Sequence, residues 1–333
     1  MRFPPHIIAD NLKHQARNVL KGNRRYPFVL MLEPLYTCNL ACIGCAPERH
    51  TGKLADRVPL ETALKAVDDC GAPAVSICGG EPTIYPELPE LIQGILDRKR
   101  HIYLCTNALL LDRKFFGKVD PHPRLTLNIH LDGMRKTHDY VTDREGVFDK
   151  AIEMIREAKR LGFHVMTNIT VYKQTDIAEV EELCEFLTEL GVDGMLITPG
   201  YHYETVGRDI FLTRKGIEEK FQRVLEFSGR FRLYSSPMFL EFAAGERDYS
   251  CSPWSTVTFT PRGWKGPCYL IGKSYTSDWN EFWNGTDWKY WESRQDSRCQ
   301  NCKMHSGFEA SVVQGLQKSP RDMIRMARWQ LSR

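Results

Sequence analysis

Three cysteines in Cys38-Asn-Leu-Ala-Cys42-Ile-Gly-Cys45 are separated by three and then two residues. Thiolates at that spacing in a loop can take three corners of an iron-sulfur cube, and the missing fourth ligand leaves one iron free to chelate a small molecule. A structural zinc is the competing reading, with His50 as the only local fourth ligand. A second set, Cys251, Cys268, Cys299 and Cys302, contains the pair spacing Cys299-Gln-Asn-Cys302. It leaves open a second four-iron cluster, a zinc ion or uncoordinated thiols. Gly79-Gly80-Glu81-Pro82 joins a glycine pair, which lets a ligand approach the backbone, to a carboxylate suited to an ammonium group.

These residues need a scaffold. Six short runs rich in branched residues read as strands: 29–33, 74–78, 102–106, 125–131, 165–171 and 194–198. Between them 59–70, 86–98, 147–161 and 177–190 carry helical periodicity, several closed by glycine (Gly71, Gly162, Gly191). Alternation of strand and helix implies βα units on a parallel sheet with ligands at the carboxyl ends of the strands. A six-unit partial barrel and an open doubly wound sheet fit this pattern equally. After about residue 205 the rhythm breaks, leaving a helix near 215–227 and a stretch rich in Trp, Gly, Pro and Cys. The expected organisation is a helical segment 1–26, a barrel 27–205 and an extension 206–333 holding any second metal site. Cys70, Cys78 and Cys184 read as core, as does most of the tryptophan cluster at 254, 264, 279, 283, 288 and 291.

The chain has 333 residues, 42% apolar and 26% charged, which excludes a disordered or fibrous protein. Forty-five basic against 42 acidic residues give +3, too little for a nucleic-acid field. No apolar run is long enough to span a bilayer and no signal peptide is evident, so a cytoplasmic location is expected and the eleven cysteines are expected to be reduced. In 1–26, apolar Ile7, Ile8, Leu12, Val19 and Leu20 alternate with Lys13, Arg17, Lys21, Arg24 and Arg25. A packing helix is the favoured reading, with contact to anionic lipid as the other.

The cysteine loop after the first strand, followed by Gly-Gly-Glu-Pro after the second, resembles the radical S-adenosylmethionine (SAM) superfamily. That resemblance implies a partial (β/α)6 radical SAM barrel. It also implies a [4Fe-4S] cluster on Cys38, Cys42 and Cys45, with SAM at its open iron and the methionyl amino group held by Gly79, Gly80 and Glu81. One-electron cleavage of SAM would then yield methionine and a 5′-deoxyadenosyl radical. Asn107, Asp132 and Asn168, with Asn128, His130 and Thr198, are the candidates for contacts to ribose, carboxylate or adenine. A flavodoxin- or ferredoxin-like donor would supply the electron, and the second cysteine set resembles the auxiliary-cluster extensions of other radical SAM enzymes, although Ser306 stands where a further cysteine is expected.

Longer strings narrow the resemblance: YPFVLMLEPLYTCNLAC, GAPAVSICGGEP, IYLCTNALLL, HLDGMRKTHD, GVFDKAIEMI, GW-x2-PCYL and C-x2-C-x2-H-x-G-F-E. They look like the hopanoid-biosynthesis enzymes that add a deoxyadenosyl group to hopene, and like the related branch that decarboxylates cytosylglucuronic acid in nucleoside-antibiotic pathways. The loop after Cys45 favours the second. Its Arg49 and Lys53 would be poor lining for a hydrocarbon but can hold a carboxylate, and Tyr201-His202-Tyr203-Glu204 adds hydrogen-bonding groups. Membrane contact would be needed only for the hopene substrate. Cys105 in LCTNALLL is implied to be a hydrogen-atom donor near the substrate.

Overall fold

The computed structural model describes residues 4–316 and 319–331. The elements run α1 (Pro5–Leu20), β1 (Val29–Leu32), α2 (Glu48–Thr51), α3 (Leu60–Cys70), β2 (Ala74–Ile77), α4 (Leu88–Asp97), β3 (His101–Thr106), β4 (Leu125–His130), α5 (Arg135–Val141), α6 (Val147–Arg160), β5 (His164–Val171), α7 (Ile177–Glu189) and β6 (Gly194–Pro199). They continue with α8 (Arg214–Phe227), α9 (Pro237–Ala243), β7 (Thr256–Thr260), β8 (Gly263–Pro267), β9 (Gly272–Thr276), α10 (Trp279–Gly285), α11 (Trp288–Glu292), α12 (His305–Gly315) and α13 (Pro320–Leu331).

All six expected strands form, and they lie in sequence order, each parallel to the next. A sheet that never reverses its order has no doubly wound switch point, so the partial barrel is the correct alternative. The strand side chains divide between two faces. Leu30, Leu32, Val75, Ile77, Ile102, Leu104, Leu127, Ile129, Val165, Ile169 and Ile197 are wholly buried in one core with the helices. Tyr103, Cys105, Asn128, His130, Asn168 and Thr170 fall on the opposite, partly exposed face. That face is the lumen, and it is polar where the helix-facing one is apolar.

The extension is not a separate layer. β7 pairs in parallel with β1, and β8 and β9 continue the same sheet as an antiparallel meander, giving nine strands in the order 6-5-4-3-2-1-7-8-9. One hydrophobic core runs across the junction to include Trp254, Val257, Phe259, Trp264, Phe282, Trp288 and Phe308. The tryptophans are mainly packing residues: Trp264 is 1% exposed and lies 4.6 Å from Trp279 and 5.6 Å from Phe282. Cys70 and Cys184 pack in the core as expected, and Cys78 is buried just past the end of β2, where burial and then the Glu33 charge raise its pKa.

Candidate functional site

The cysteine loop follows β1 at the carboxyl end of the barrel. Its entry is tied down by Thr37 Oγ1 donating to the Gly52 carbonyl at 2.9 Å and by Gly52 N donating to the Tyr36 carbonyl at 2.9 Å. Ile43 N donates to the Val141 carbonyl, and Gly44 lies flat on Tyr172, where a Cβ would sit 2.3 Å from the ring hydroxyl. The loop thereby turns its thiols toward one another. Burial raises the Cys38 thiol to about 12 and Cys42 well above its usual range, and their mutual charges add to the rise. For Cys45 burial again dominates, opposed by the Arg49 charge. Three half-buried thiols on one loop are a donor set that could hold an iron-sulfur cluster, which would keep them deprotonated. Among the described residues no group of three or more His, Cys, Asp or Glu side chains stands close enough for a single ion.

Gly79 and Gly80 have a different immediate cause from the one expected. A Cβ on Gly80 would lie 2.1 Å from the Thr37 carbonyl oxygen and one on Gly79, where φ is +102°, 2.6 Å from that of Leu35. Gly80 N and Glu81 N donate to the Leu35 and Thr37 carbonyls, both at 2.9 Å. What approaches these glycines is the chain leading into Cys38. The Glu81 carboxylate, 1% exposed, accepts from Thr83 N, Thr83 Oγ1, Thr106 Oγ1 and Asn107 N at 2.6–3.1 Å. Four donors meet that carboxylate, so Glu81 braces the ends of β2 and β3. Asn107 is held beside the cysteine loop, its Nδ2 donating to Asn39 Oδ1 at 2.8 Å and lying 4.0 Å from Cys38 Sγ.

Asp132, expected as a cofactor contact, is 1% exposed and occupied on both oxygens, by Thr170 N at 2.7 Å and His130 Nε2 at 2.6 Å. It orients His130: burial works against the imidazolium, but the Asp132 charge and hydrogen bond outweigh it and raise the pKa. Asn168 is half-buried on the lumen face of β5, in register with His130. Thr198 is buried and its hydroxyl lies 3.9 Å from Met304 Sδ. Cys105 Sγ lies 3.3 Å from Ser76 Oγ and 3.4 Å from Asn128 Nδ2 across β2, β3 and β4. Burial raises its pKa, so the sulfur keeps its hydrogen.

Arg49 and Lys53 do not act as a pair. Lys53 is on an exposed turn. Arg49 is 6% exposed, with Glu33 Oε1 at 2.8 Å from Nη2, Tyr203 Oη accepting from Nη1 at 3.0 Å, and the rings of Tyr203 and Tyr269 within 5.2 and 4.7 Å. Its charge is therefore already countered inside the fold. A cation that sequence reading missed accompanies it. Lys265 on β8 is 3% exposed, donates to the Tyr269 carbonyl at 2.9 Å, and has its pKa lowered by burial and then by the Arg49 charge. Nothing in the local string GWKGP marks that lysine as buried.

Cys251, Cys268, Cys299 and Cys302 line one cleft with Tyr201, Trp291, Arg294 and Ser306. Burial pushes Cys299 up to about 11 and Cys302 up to about 12, with Cys268 adding to both. Arg294 Nη2 donates to the Cys299 and Cys302 carbonyls at 2.9 and 3.1 Å, fixing their turn and placing a cation beside it. Of the expected Tyr201–Glu204 group, Tyr201 Oη donates to the Arg298 carbonyl at 3.3 Å and His202 stacks on Phe211.

Residues 32–187 match the profile of the Radical SAM superfamily, and 195–326 match a domain of unknown function, DUF3463. The chain is 26% identical over 174 residues to Fe-coproporphyrin III synthase of Methanosarcina barkeri (strain Fusaro / DSM 804), covering 51% of this chain and 43% of that protein. It is 31% identical over 189 residues to a probable GTP 3′,8-cyclase of Metallosphaera sedula, covering 55% and 59%. The chain thus spans about half the length of these curated relatives. In fold it is similar to Streptococcus suis SuiB bound to precursor peptide SuiA, with TM-score 0.68 and 17% identity over 93% of this chain and 77% of that one. The match to the Radical SAM superfamily, which uses a [4Fe-4S] cluster and SAM, thus lies in residues 32–187, just under half of the chain, and the chain as a whole shares its fold with SuiB.

Proposed function

We propose that the chain is a radical SAM enzyme with an auxiliary cluster that acts on an anionic small molecule, taking hydrogen from a carboxylated sugar nucleoside of the cytosylglucuronic acid type so that carbon dioxide is lost. Cys38, Cys42 and Cys45 would hold a four-iron cluster, and the chemistry it would supply when bound is one-electron reductive cleavage of SAM, with the electron from a flavodoxin- or ferredoxin-like donor. The chain's own residues do the positioning. Glu81 fixes the ends of β2 and β3, Asp132 orients His130, and the protonated Cys105 thiol can return a hydrogen atom to a substrate radical, the proton that replaces carbon dioxide coming from water and the sulfur radical being reduced by a second electron from the same donor with a proton.

The observation that carries this reading is the buried charge around Arg49: two buried cations, Arg49 and Lys265, against one buried carboxylate, Glu33. A substrate carboxylate would complete that balance. The second reading, adenosyl addition to hopene, draws support from the aromatic and aliphatic side chains of Tyr201, Tyr203, Tyr269, Leu270 and Ile271 at the same end.

Anaerobic incubation of reconstituted protein with SAM, dithionite and either substrate, followed by mass detection, separates the two. The first product is lighter by carbon dioxide, the second heavier by a deoxyadenosyl group. Lys265→Met should raise KM for the acid by about ten-fold or more while leaving substrate-free SAM cleavage unchanged. If that variant instead shifts the cluster spectrum with KM constant, the cations serve the cysteines and the carboxylate reading fails. Two cubes of four would give about eight irons per chain, and Cys299→Ala should remove about half.

A further inference from the structure

Helix α1 carries a surface that neither the core nor the site uses. Leu12, Val19 and Leu20 are 60%, 52% and 87% exposed, and their spacing of seven and eight residues sets them on one stripe. Lys13, Arg17, Lys21, Arg24 and Arg25 are exposed around it, and positions 11–27 contain no aspartate or glutamate. Among the described residues Lys13, Arg17, Lys21 and Arg24 form no ion pair, while Arg25 lies over the Trp254 ring at 5.2 Å. The opposite side of the helix is anchored. Ile7 is buried, His14 Nε2 bonds the Pro27 carbonyl at 2.8 Å, and Asp10 meets Arg124 at 2.5 Å. The apolar stripe is therefore held outward by the fold.

Like charges on both sides disfavour pairing of this face with a second copy. Phosphates of a nucleic acid would meet the cations but give three exposed aliphatic side chains nothing to bury into. An anionic bilayer surface satisfies both, headgroups meeting the basic residues and the acyl boundary receiving the leucines and valine. We propose that α1 is a peripheral docking helix for a membrane rich in anionic lipid. Pro27, Phe28 and Arg124 flank the amino ends of β1 and β4, opposite the cysteine loop, so docking leaves the mouth of the barrel open. The inference is independent of which substrate is turned over.

The test is co-sedimentation of the reconstituted full chain with vesicles of phosphatidylglycerol and phosphatidylcholine, against phosphatidylcholine alone. Binding to the anionic vesicles is expected, weakening several-fold as salt is raised. Arg17→Glu with Lys21→Glu should weaken it by about ten-fold or more. Leu12→Glu with Leu20→Glu should abolish it, and unchanged melting and iron content would show that all four changes leave the fold intact. Equal binding to neutral vesicles, no binding to either, undiminished binding of the leucine variant, or preference for a DNA duplex over vesicles would each overturn the proposal.

Discussion

Arg49 was legible as a cation beside the cysteine loop, but its partners were not. Glu33 ends β1, and Tyr203 lies 154 positions away after β6. A buried ion pair broken on one side leaves a desolvated charge, so Arg49→Gln should destabilise the fold by about 3–5 kcal/mol. Urea unfolding monitored by circular dichroism measures this, and adding Glu33→Gln should recover part of the loss because the orphaned charge is gone. Lys53→Gln, on the exposed turn, should change stability by less than about 0.5 kcal/mol and leave turnover unaltered. If Arg49→Gln instead unfolds at the wild-type midpoint, the guanidinium is not locked to Glu33 and becomes available to a substrate. The same distinction between residue type and partner applies to Glu81 and Asp132. Sequence showed carboxylates at strand ends, but only the fold shows that backbone and hydroxyl donors already fill them.

The six βα units could be read because helix-facing positions recur every second residue in strands and every third or fourth in helices, and each of the six strands appears within a residue of its expected bounds. β7, β8 and β9 were missed. Thr256–Thr260 does alternate Thr with Val257 and Phe259 but sits in a stretch read by its Trp and Cys content, whereas Gly263–Pro267, with two glycines and a proline, and the largely exposed Gly272–Thr276 carry no apolar period. At the Gly79–Gly80 element the residue types were legible, but the close approach of the segment Leu35–Thr37 to both glycines was not. Gly80→Ala must therefore push the Thr37 backbone, one residue before Cys38. Iron retained after reconstitution should fall by about half, toward the auxiliary complement alone, with SAM cleavage lost. Full iron and wild-type cleavage in that variant would mean the loop can shift without disturbing the thiols.

At the scale of the molecule the decisive contact is β1 against β7. β1 carries Glu33 and the cysteine loop at its carboxyl end, and it is the one strand paired to the barrel on one edge and to the extension on the other. The register Leu30↔Val257 and Leu32↔Phe259 places the extension's apolar side chains in the same core as α3 and the barrel strands. Two consequences follow from that shared sheet and core. Thermal or urea unfolding should show one cooperative transition for both regions, with near- and far-ultraviolet circular dichroism coincident. A chain ended at residue 205 should leave the backbone groups on one side of β1 unpaired and uncover Leu30, Leu32 and the face of α3, an exposed apolar edge of the kind that aggregates. Such a chain should be recovered insoluble, or should melt at least about 10 °C below the full chain, since the loss exceeds what a domain of that size tolerates. A soluble 1–205 fragment with the full chain's melting temperature would show instead that the barrel is self-sufficient and that the extension contributes only to the second cysteine site.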